Sequence, residues 1–438
     1  MHRRSFPYRH IILTVIIVAC LSSLTHAQIT FTEHVITTGY TNASYVHAAD
    51  LDKDDDLDIL GASRGLGYQS WWENDGHQNF TEHVLSDSFP GSNCILAVDL
   101  DTDGDEDILA SSSTANFIKW WENDGTARFT AHVITDGYSM VIGVFAIDMD
   151  NDGDIDVIGA SQGHGAIRWW KNDGNQNFTE HSITETVSSP YDVFACDLDG
   201  DDDIDVIGSS QNTDTHVWWE NDGSESFTEH LFTTNYGSCN FFEAADVDGD
   251  DLLDIVGASF GSGGVAWWHN EGNRTFTQKT ISETFFSAPK VQAVDMDGDG
   301  DTDIVGVSYS MSTVVWWEND GDENFTQHTI SNTLGGPWHL FATDIDGDDD
   351  IDVLVSGFQS NRIVWFENSA SSRTRGDTNG DGAVDLLDII TAVNHILDTS
   401  ILEGDDLWAA DCNDDGEIDL LDLIGIVNVI LGIGECVP

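Results

Sequence analysis

The chain has 438 residues, 40% of them hydrophobic, with 15 Trp and 21 Phe. That is ample material for a packed core and excludes a disordered chain. Its 79 acidic residues face only 15 basic ones, a formal net charge of −64, which repels nucleic acid and anionic lipid and favours cations as partners.

In chain order, the basic stretch "MHRRSFPYRH" precedes "IILTVIIVACLSSLTHAQ". A basic start, a short apolar run and small residues up to Ala27 predict a secretory signal peptide over 1–27, cleaved after Ala27. The alternative is a lipoprotein box ending at Cys20, which would leave a lipid anchor there. No other segment approaches the length of a transmembrane span. The remaining cysteines are Cys94, Cys196, Cys239, Cys412 and Cys436, an odd number that argues against a disulfide framework. The first three fall in separate repeats and read as small buried hydrophobes. Cys412 and Cys436 share the C-terminal module, where a pairing stays open.

From residue 28 the sequence is periodic. Acidic loops begin at Asp50, Asp99, Asp148, Asp197, Asp246, Asp295 and Asp344, each 49 residues after the last. An aromatic pair opens at Trp71, Trp120, Trp169, Trp218, Trp267, Trp316 and Trp365, with the same spacing. A third motif, "FT", starts at Phe31, Phe80, Phe129, Phe178, Phe227, Phe276 and Phe325. Each unit reads as four short strands: "SYVHAAD", "LDILGAS", "YQSWWEND" and "NFTEHVL", separated by Asp, Asn and Gly turn signals. Four strands per repeat of this length predict a mainly β, seven-bladed β-propeller over 28–369. Phe31 opens a fourth-strand motif with nothing before it, and "IVWFEN" (363–368) has none after it. The N-terminal strand is therefore expected to complete the last blade and close the ring.

A linker over 370–375 leads to a small α-helical module over 376–438. It has two copies, Asp377 to Leu397 and Asp411 to Leu431, each an acidic loop followed by "LLDIITAVNHIL" or "LLDLIGIVNVIL". Apolar residues there recur at three and four positions, the pattern of an amphipathic helix.

The propeller loops follow D-x-D-x-D-[G/D]-x-x-D. Positions 1, 3, 5 and 9 are Asp50, Asp52, Asp54 and Asp58 in the first copy, then Asp99, Asp101, Asp103 and Asp107. The third and fourth carry Asp148, Asp150, Asp152 and Asp156, and Asp197, Asp199, Asp201 and Asp205. The last three carry Asp246, Asp248, Asp250 and Asp254; Asp295, Asp297, Asp299 and Asp303; and Asp344, Asp346, Asp348 and Asp352. Alternate carboxylates in a tight loop, with the carbonyl of the seventh residue, supply the oxygen shell that Ca²⁺ takes. All-oxygen donors argue against zinc and copper. Gly104, Gly153 and Gly300 at the sixth position, with Asp in the other copies, suit a left-handed backbone. A merely solvated acidic turn would not hold these residues in register seven times. Leu252 at the seventh position of the fifth copy costs nothing, because that donor is main chain.

These loops, with the "FT" and "WW" motifs, resemble the FG-GAP-like (VCBS-type) repeats of integrin α-subunit propellers and many bacterial secreted proteins. The resemblance implies up to seven calcium ions, each stiffening the hairpin between the first two strands of a blade. The namesake dipeptides are reduced here to "GAS", "GSS" or "ASS", which weakens any analogy to integrin partner binding. The C-terminal pair is similar to a dockerin. That likeness implies two more calcium ions, one held by Asp377, Asn379, Asp381, Asp385 and Asp388, the other by Asp411, Asn413, Asp415, Asp419 and Asp422. Gly382 and Gly416 take the sharp turn, and Asp in place of Glu at position 12 is the dockerin choice. It also implies a cohesin partner read by Leu386, Leu387, Leu420 and Leu421; the alternative is that these leucines pack the module's own core.

Neighbouring strand residues point to opposite faces, so both Trp columns read as core between blades, with sugar stacking as the alternative. His34, His83, His132, His181, His230 and His328, with Lys279 in the seventh place, form a rim column too dispersed for a metal or catalytic centre. The face opposite the acidic loops carries the connections that vary, where binding usually resides. Tyr40, Phe89, Tyr138, Tyr236 and Phe285, and separately Tyr191 and Trp338, are the aromatics expected there for a glycan. No nucleophile elbow, phosphate-cradling loop or His/Cys cluster supports catalysis. The expectation is a secreted or cell-surface, non-catalytic, calcium-binding module for a glycan or extracellular protein. The alternative is a polysaccharide-degrading lyase or glycosidase carried by the same dockerin.

Overall fold

The computed structural model describes residues 29–369 except 235, 262, 263 and 349, and in the C-terminal region 378, 384, 386–396, 410, 412, 418 and 420–430. The expected signal peptide, the linker, and the loop residues Asp377, Asn379, Asp381, Asp385, Asp411, Asn413, Asp415 and Asp419 lie outside the described residues, as do the side chains of Leu420 and Leu421.

Each 49-residue unit folds into one four-stranded antiparallel sheet, and there are seven. In blade 1 the strands are Ala43–Ala49, Asp58–Ser63, Tyr68–Asn74 and Phe80–Ser86, paired in chain order. Burial grades outward. The second strand is buried at all six positions, while the fourth is half-buried or exposed throughout. Blade 7 takes Pro337–Thr343, Asp352–Gly357 and Arg362–Ser369, and Thr30–Thr38 pairs with the last of these, from Thr30 opposite Ser369 to Thr38 opposite Arg362. The expected ring closure is present, and it hides two sheet edges that would otherwise be open.

The Trp pairs explain how blades adhere. Trp72 packs with Ile363 and Trp365 in the core between blades 7 and 1, while Trp71 packs with Ile95 and Trp121 between blades 1 and 2. One pair thus serves two interfaces, as strand alternation requires. The glycine of "GAS" makes room: a Cβ at Gly61 would lie 2.6 Å from Ile363 Cδ1 and 2.7 Å from the Trp72 ring.

The C-terminal unit is separate from the propeller, which spans Thr30–Ala370. Its two helices, Leu386–Ile396 and Leu420–Ile430, share a small core of Ala392, Cys412 and Ile426, with Val384, Ile389 and Leu423 packed on it. Cys412 is disulfide-bonded. Among the described residues no helix is long and apolar enough to cross a membrane.

Candidate functional site

Each acidic loop joins the first two strands of its blade and is tied by its own backbone. In blade 1, Asp50 accepts hydrogen bonds from the amides of Lys53 (2.7 Å), Asp54 (3.2 Å) and Asp55 (3.1 Å). The sixth position is left-handed in both residue types, with φ of 71° at Asp55, 90° at Gly104 and 92° at Gly153. The ninth aspartate is fully buried in all seven blades. Asp107 accepts from the amides of Leu100 (3.1 Å) and Asn123 (2.7 Å), locking the loop to the third strand. Burial pushes the carboxyls of Asp58, Asp107, Asp156, Asp205 and Asp254 up to about 7, and those of Asp303 and Asp352 up to about 8.

This arrangement fits a hard cation. In blades 1 to 4, oxygens of the first, third and ninth aspartates lie within 4.8 Å of one another. One oxygen each of Asp52, Asp99, Asp150, Asp199, Asp248 and Asp346 is buried with no hydrogen-bond partner. Buried carboxylate oxygens without donors are costly unless a cation faces them.

The copies are not equivalent. The residue after the aromatic pair is Glu73, Glu122, Glu220, Glu318 or Glu367 in five blades, but Lys171 in blade 3 and His269 in blade 5. Lys171 pairs with Asp150 and, at 3.2 Å, with Asp152. His269 Nδ1 lies 2.8 Å from Asp248 and 3.6 Å from Asp254. Arg274, from the turn of blade 5, reaches Asp199 of blade 4 at 2.8 Å.

Two repeated features have structural duties that the sequence pattern alone does not show. Asn123, after the Trp pair, donates to the carbonyls of Leu51 in the preceding blade (2.8 Å) and Glu106 in its own (3.1 Å). Asn172, Asn270, Asn319 and Asn368 make the same bridge. The 49-residue spacing of this Asn was the available signal, but it reads as turn chemistry. On the rim, His83 stacks on Trp71 with centroids 4.4 Å apart and pairs with Glu73 at 2.7 Å. Lys279, where the column breaks, sits 4.6 Å over Trp267 instead.

The aromatic column expected to be open on the variable face is interior. Tyr40, Phe89, Tyr138, Tyr236 and Phe285 are all buried. Tyr138 donates to the carbonyls of Gly159 (3.1 Å) and Ala166 (2.9 Å), and meets Trp170 edge-on at 5.0 Å. Tyr236 does likewise with Gly257, Gly264 and Trp268. The segment carrying this column folds back between blades, so its rings cap the Trp core and are closed to a ligand. Tyr191 is also buried, with Ile142 and Phe241 across the mouth of the central channel.

Trp338 is only half-buried, and it is not alone. Phe260, Tyr309 and Phe358 lie around it, with ring centroids 5.6, 5.5 and 5.5 Å from its own. These three occupy one 49-residue column, which in blades 1 to 4 reads Arg64, Ser113, Gln162 and Gln211. The mouth of the ring is therefore aromatic along blades 5 to 7 and polar along blades 1 to 4. Scanning that column for departures from the repeat would have found it.

In the C-terminal unit, Leu386 and Leu387 are 66% and 53% exposed, and Ile390 and Ile424 are exposed too. These two leucines do not pack the module's core. Asp388 and Asp422 are buried at matching positions of the two helices.

The FG-GAP-like repeat family matches six overlapping stretches, 50–110, 99–159, 148–208, 197–257, 246–306 and 295–355. The dockerin type I domain family matches residues 375–431. No curated protein sequence matches the chain. Among solved structures it is similar to an Agrocybe aegerita lectin that recognises non-reducing terminal N-acetylglucosamine (20% identity, 75% of this chain and 86% of that one, TM-score 0.53). It is also similar to a streptogramin B lyase (14% identity, 78% and 98%, TM-score 0.56) and to BBS1N, solved in complex with ARL6DN (9% identity, 78% and 97%, TM-score 0.51). A sugar binder, a lyase and a protein binder share this one fold, so function must be argued from the sites.

Proposed function

Since the chain belongs to the FG-GAP-like repeat family and ends in a dockerin type I domain, we propose that it is a secreted, calcium-loaded, non-catalytic binding module that a cohesin holds in an extracellular assembly. The propeller's ligand is a glycan, and the C-terminal helices supply the attachment. The observation that carries the glycan reading is the half-aromatic, half-polar mouth around Trp338. A pyranose has the same division, apolar C–H faces and hydroxyl edges, and half-buried rings stack on the former while side chains such as Gln162 and Gln211 meet the latter.

Calcium in this reading is ligated by the first, third, fifth and ninth aspartates of each loop. It stiffens the scaffold without touching the glycan. Attachment through the exposed Leu386, Leu387 and Ile390 is supported by the sequence, which repeats them 34 residues on as Leu420, Leu421 and Ile424, and Ile424 is exposed too.

A glycan array probed with the calcium-loaded full chain, run beside a polysaccharide cleavage assay, tests the proposal. Binding that Trp338→Ala and Tyr309→Ala each weaken at least tenfold, without turnover, is the expected result. Turnover of any polysaccharide would replace the binding reading with the enzymatic one.

A further inference from the structure

The innermost strands of the seven blades line the central channel, and there the repeat breaks down. Reading one position per blade gives Tyr45, Cys94, Gly143, Asp192, Phe241, Lys290 and His339, each 49 residues after the last. Two residues further along, the series is His47, Leu96, Phe145, Phe194, Glu243, Gln292 and Phe341. A fold that needed only a plug would fill these positions with apolar residues, as it fills the inter-blade cores.

The channel instead holds a cavity of about 250 Å³. Its variable-face end is closed by Ile142, Tyr191 and Phe241, with Tyr45 and Trp338 packed against them. Its lining runs the other way to Ala97 and Val98, which directly precede the acidic loop at Asp99. The cavity is thus reached from the calcium-loop face, with the plug between it and the aromatic mouth.

One arc of the wall is apolar, made of Leu96, Phe145 and Phe194. The other carries ionisable groups of both signs: Asp192, whose carboxyl is pushed up to about 7 by burial, and Lys290 paired with Glu243 at 3.3 Å. His339, 2% exposed, lines this arc beside the backbone of Val46, and His47 Nδ1 has no hydrogen-bond partner. Tyr45 stacks on the His339 ring at 3.5 Å, which holds it in place. Burial drives both imidazoles below their ordinary value, His47 to about 4, so they are neutral and each offers one donor and one acceptor. Gln292, by contrast, is used up on the backbone of Ala342.

A cation entering this space would meet Lys290, and an anion would meet Asp192 and Glu243. A neutral molecule with adjacent hydroxyls satisfies carboxylates, ammonium and imidazoles together, and lays its C–H face on the phenylalanine arc. We infer that the central channel is a second, independent ligand site, which takes one neutral sugar ring from the calcium-loop face. Its volume lies below that of most small-molecule pockets, roughly 300–1,000 Å³, which limits the occupant to a single ring, either free or the end of a chain.

This site stands apart from the glycan reading of the aromatic mouth, and one set of titrations separates them. Glucose, galactose, mannose, xylose and N-acetylglucosamine are titrated calorimetrically into the calcium-loaded full chain, its Asp192→Asn and Glu243→Gln variants, and Tyr309→Ala. The expected result is saturable binding of at least one sugar, weakened at least tenfold by both channel variants and unchanged by Tyr309→Ala. Leu96→Trp, which fills the apolar arc, abolishes it, and melting curves of every variant report folding. Binding that Tyr309→Ala removes and the channel variants leave intact would overturn the channel site while keeping the mouth. No binding of any of the five sugars to the unmodified chain would overturn the channel site, and the glycan array would still decide the mouth.

Discussion

The inter-blade cores and the central channel are built from the same repeat and treat it in opposite ways. The ninth loop position is Asp in all seven copies, and the first residue of each aromatic pair is Trp in all seven. The channel position beginning at Tyr45 holds a different residue type in every blade, and the mouth position beginning at Arg64 turns aromatic only from Phe260 onward. Residues that must fit the same neighbours seven times stay constant, because each interface repeats the same packing problem. Residues on the axis share one space, so they need not match and can be assembled into one asymmetric site. Constancy marks the scaffold here, and departure from it marks the two sites proposed for ligands.

The largest effect expected from the constant part is that of chelation. Removing calcium with EDTA should lower the melting temperature on the order of 10 °C or more, since several loops lose a ligand that binds only the folded state. An unchanged melting curve would remove the cation from the account. Next is Tyr236→Ala, which opens a cavity against Trp268 and frees two carbonyls. Chemical denaturation should show a loss of about 3–5 kcal/mol, and a change under 1 kcal/mol would return this column to the surface.

Asp107→Ala leaves the amides of Leu100 and Asn123 without their acceptor. It should cost about 2–3 kcal/mol and remove one calcium from the count by atomic absorption; an unchanged count would exclude Asp107 as a ligand. The ninth aspartates also set opposite pH slopes. With no cation bound, their raised values mean that the folded chain holds protons, between about pH 4 and 7, that the unfolded chain has released. Stability without calcium therefore falls as pH rises through that window. With calcium bound, acidification displaces the ion and stability falls as pH falls. Melting curves in EDTA and in calcium should slope in opposite senses; parallel slopes would contradict the site. The smallest effect is that of Lys171→Glu, which replaces the ammonium in the blade 3 loop by the residue most blades carry. Calcium affinity of that loop should rise roughly tenfold, about 1.4 kcal/mol, and no change by calorimetry would make Lys171 a bystander.

Much of the architecture was legible because period carries topology. Three columns at one spacing gave the blades, and the unpaired motif at Phe31 gave the closure seen between Thr30–Thr38 and Arg362–Ser369. The loop conformation was legible as well, because only Gly and Asp stand at its sixth position. The aromatic column of Tyr40 was misplaced because it lies in a connection, where periodicity says nothing about which way the chain folds. The bridge from Asn123 to Leu51 crosses between blades, and its partner is a backbone atom that leaves no trace in sequence. The channel was open to view only by comparing equivalent positions for difference instead of likeness.

Stapling and recognition are separable in this account, and one experiment asks whether they are. The calcium-loaded chain, Asp107→Ala and Trp338→Ala are compared on the same glycan array well below their melting temperatures. Trp338→Ala should melt within a few degrees of the parent and lose glycan binding, whereas Asp107→Ala should melt earlier and keep it. Glycan binding lost in Asp107→Ala and retained in Trp338→Ala would place recognition on the calcium loops and contradict the account.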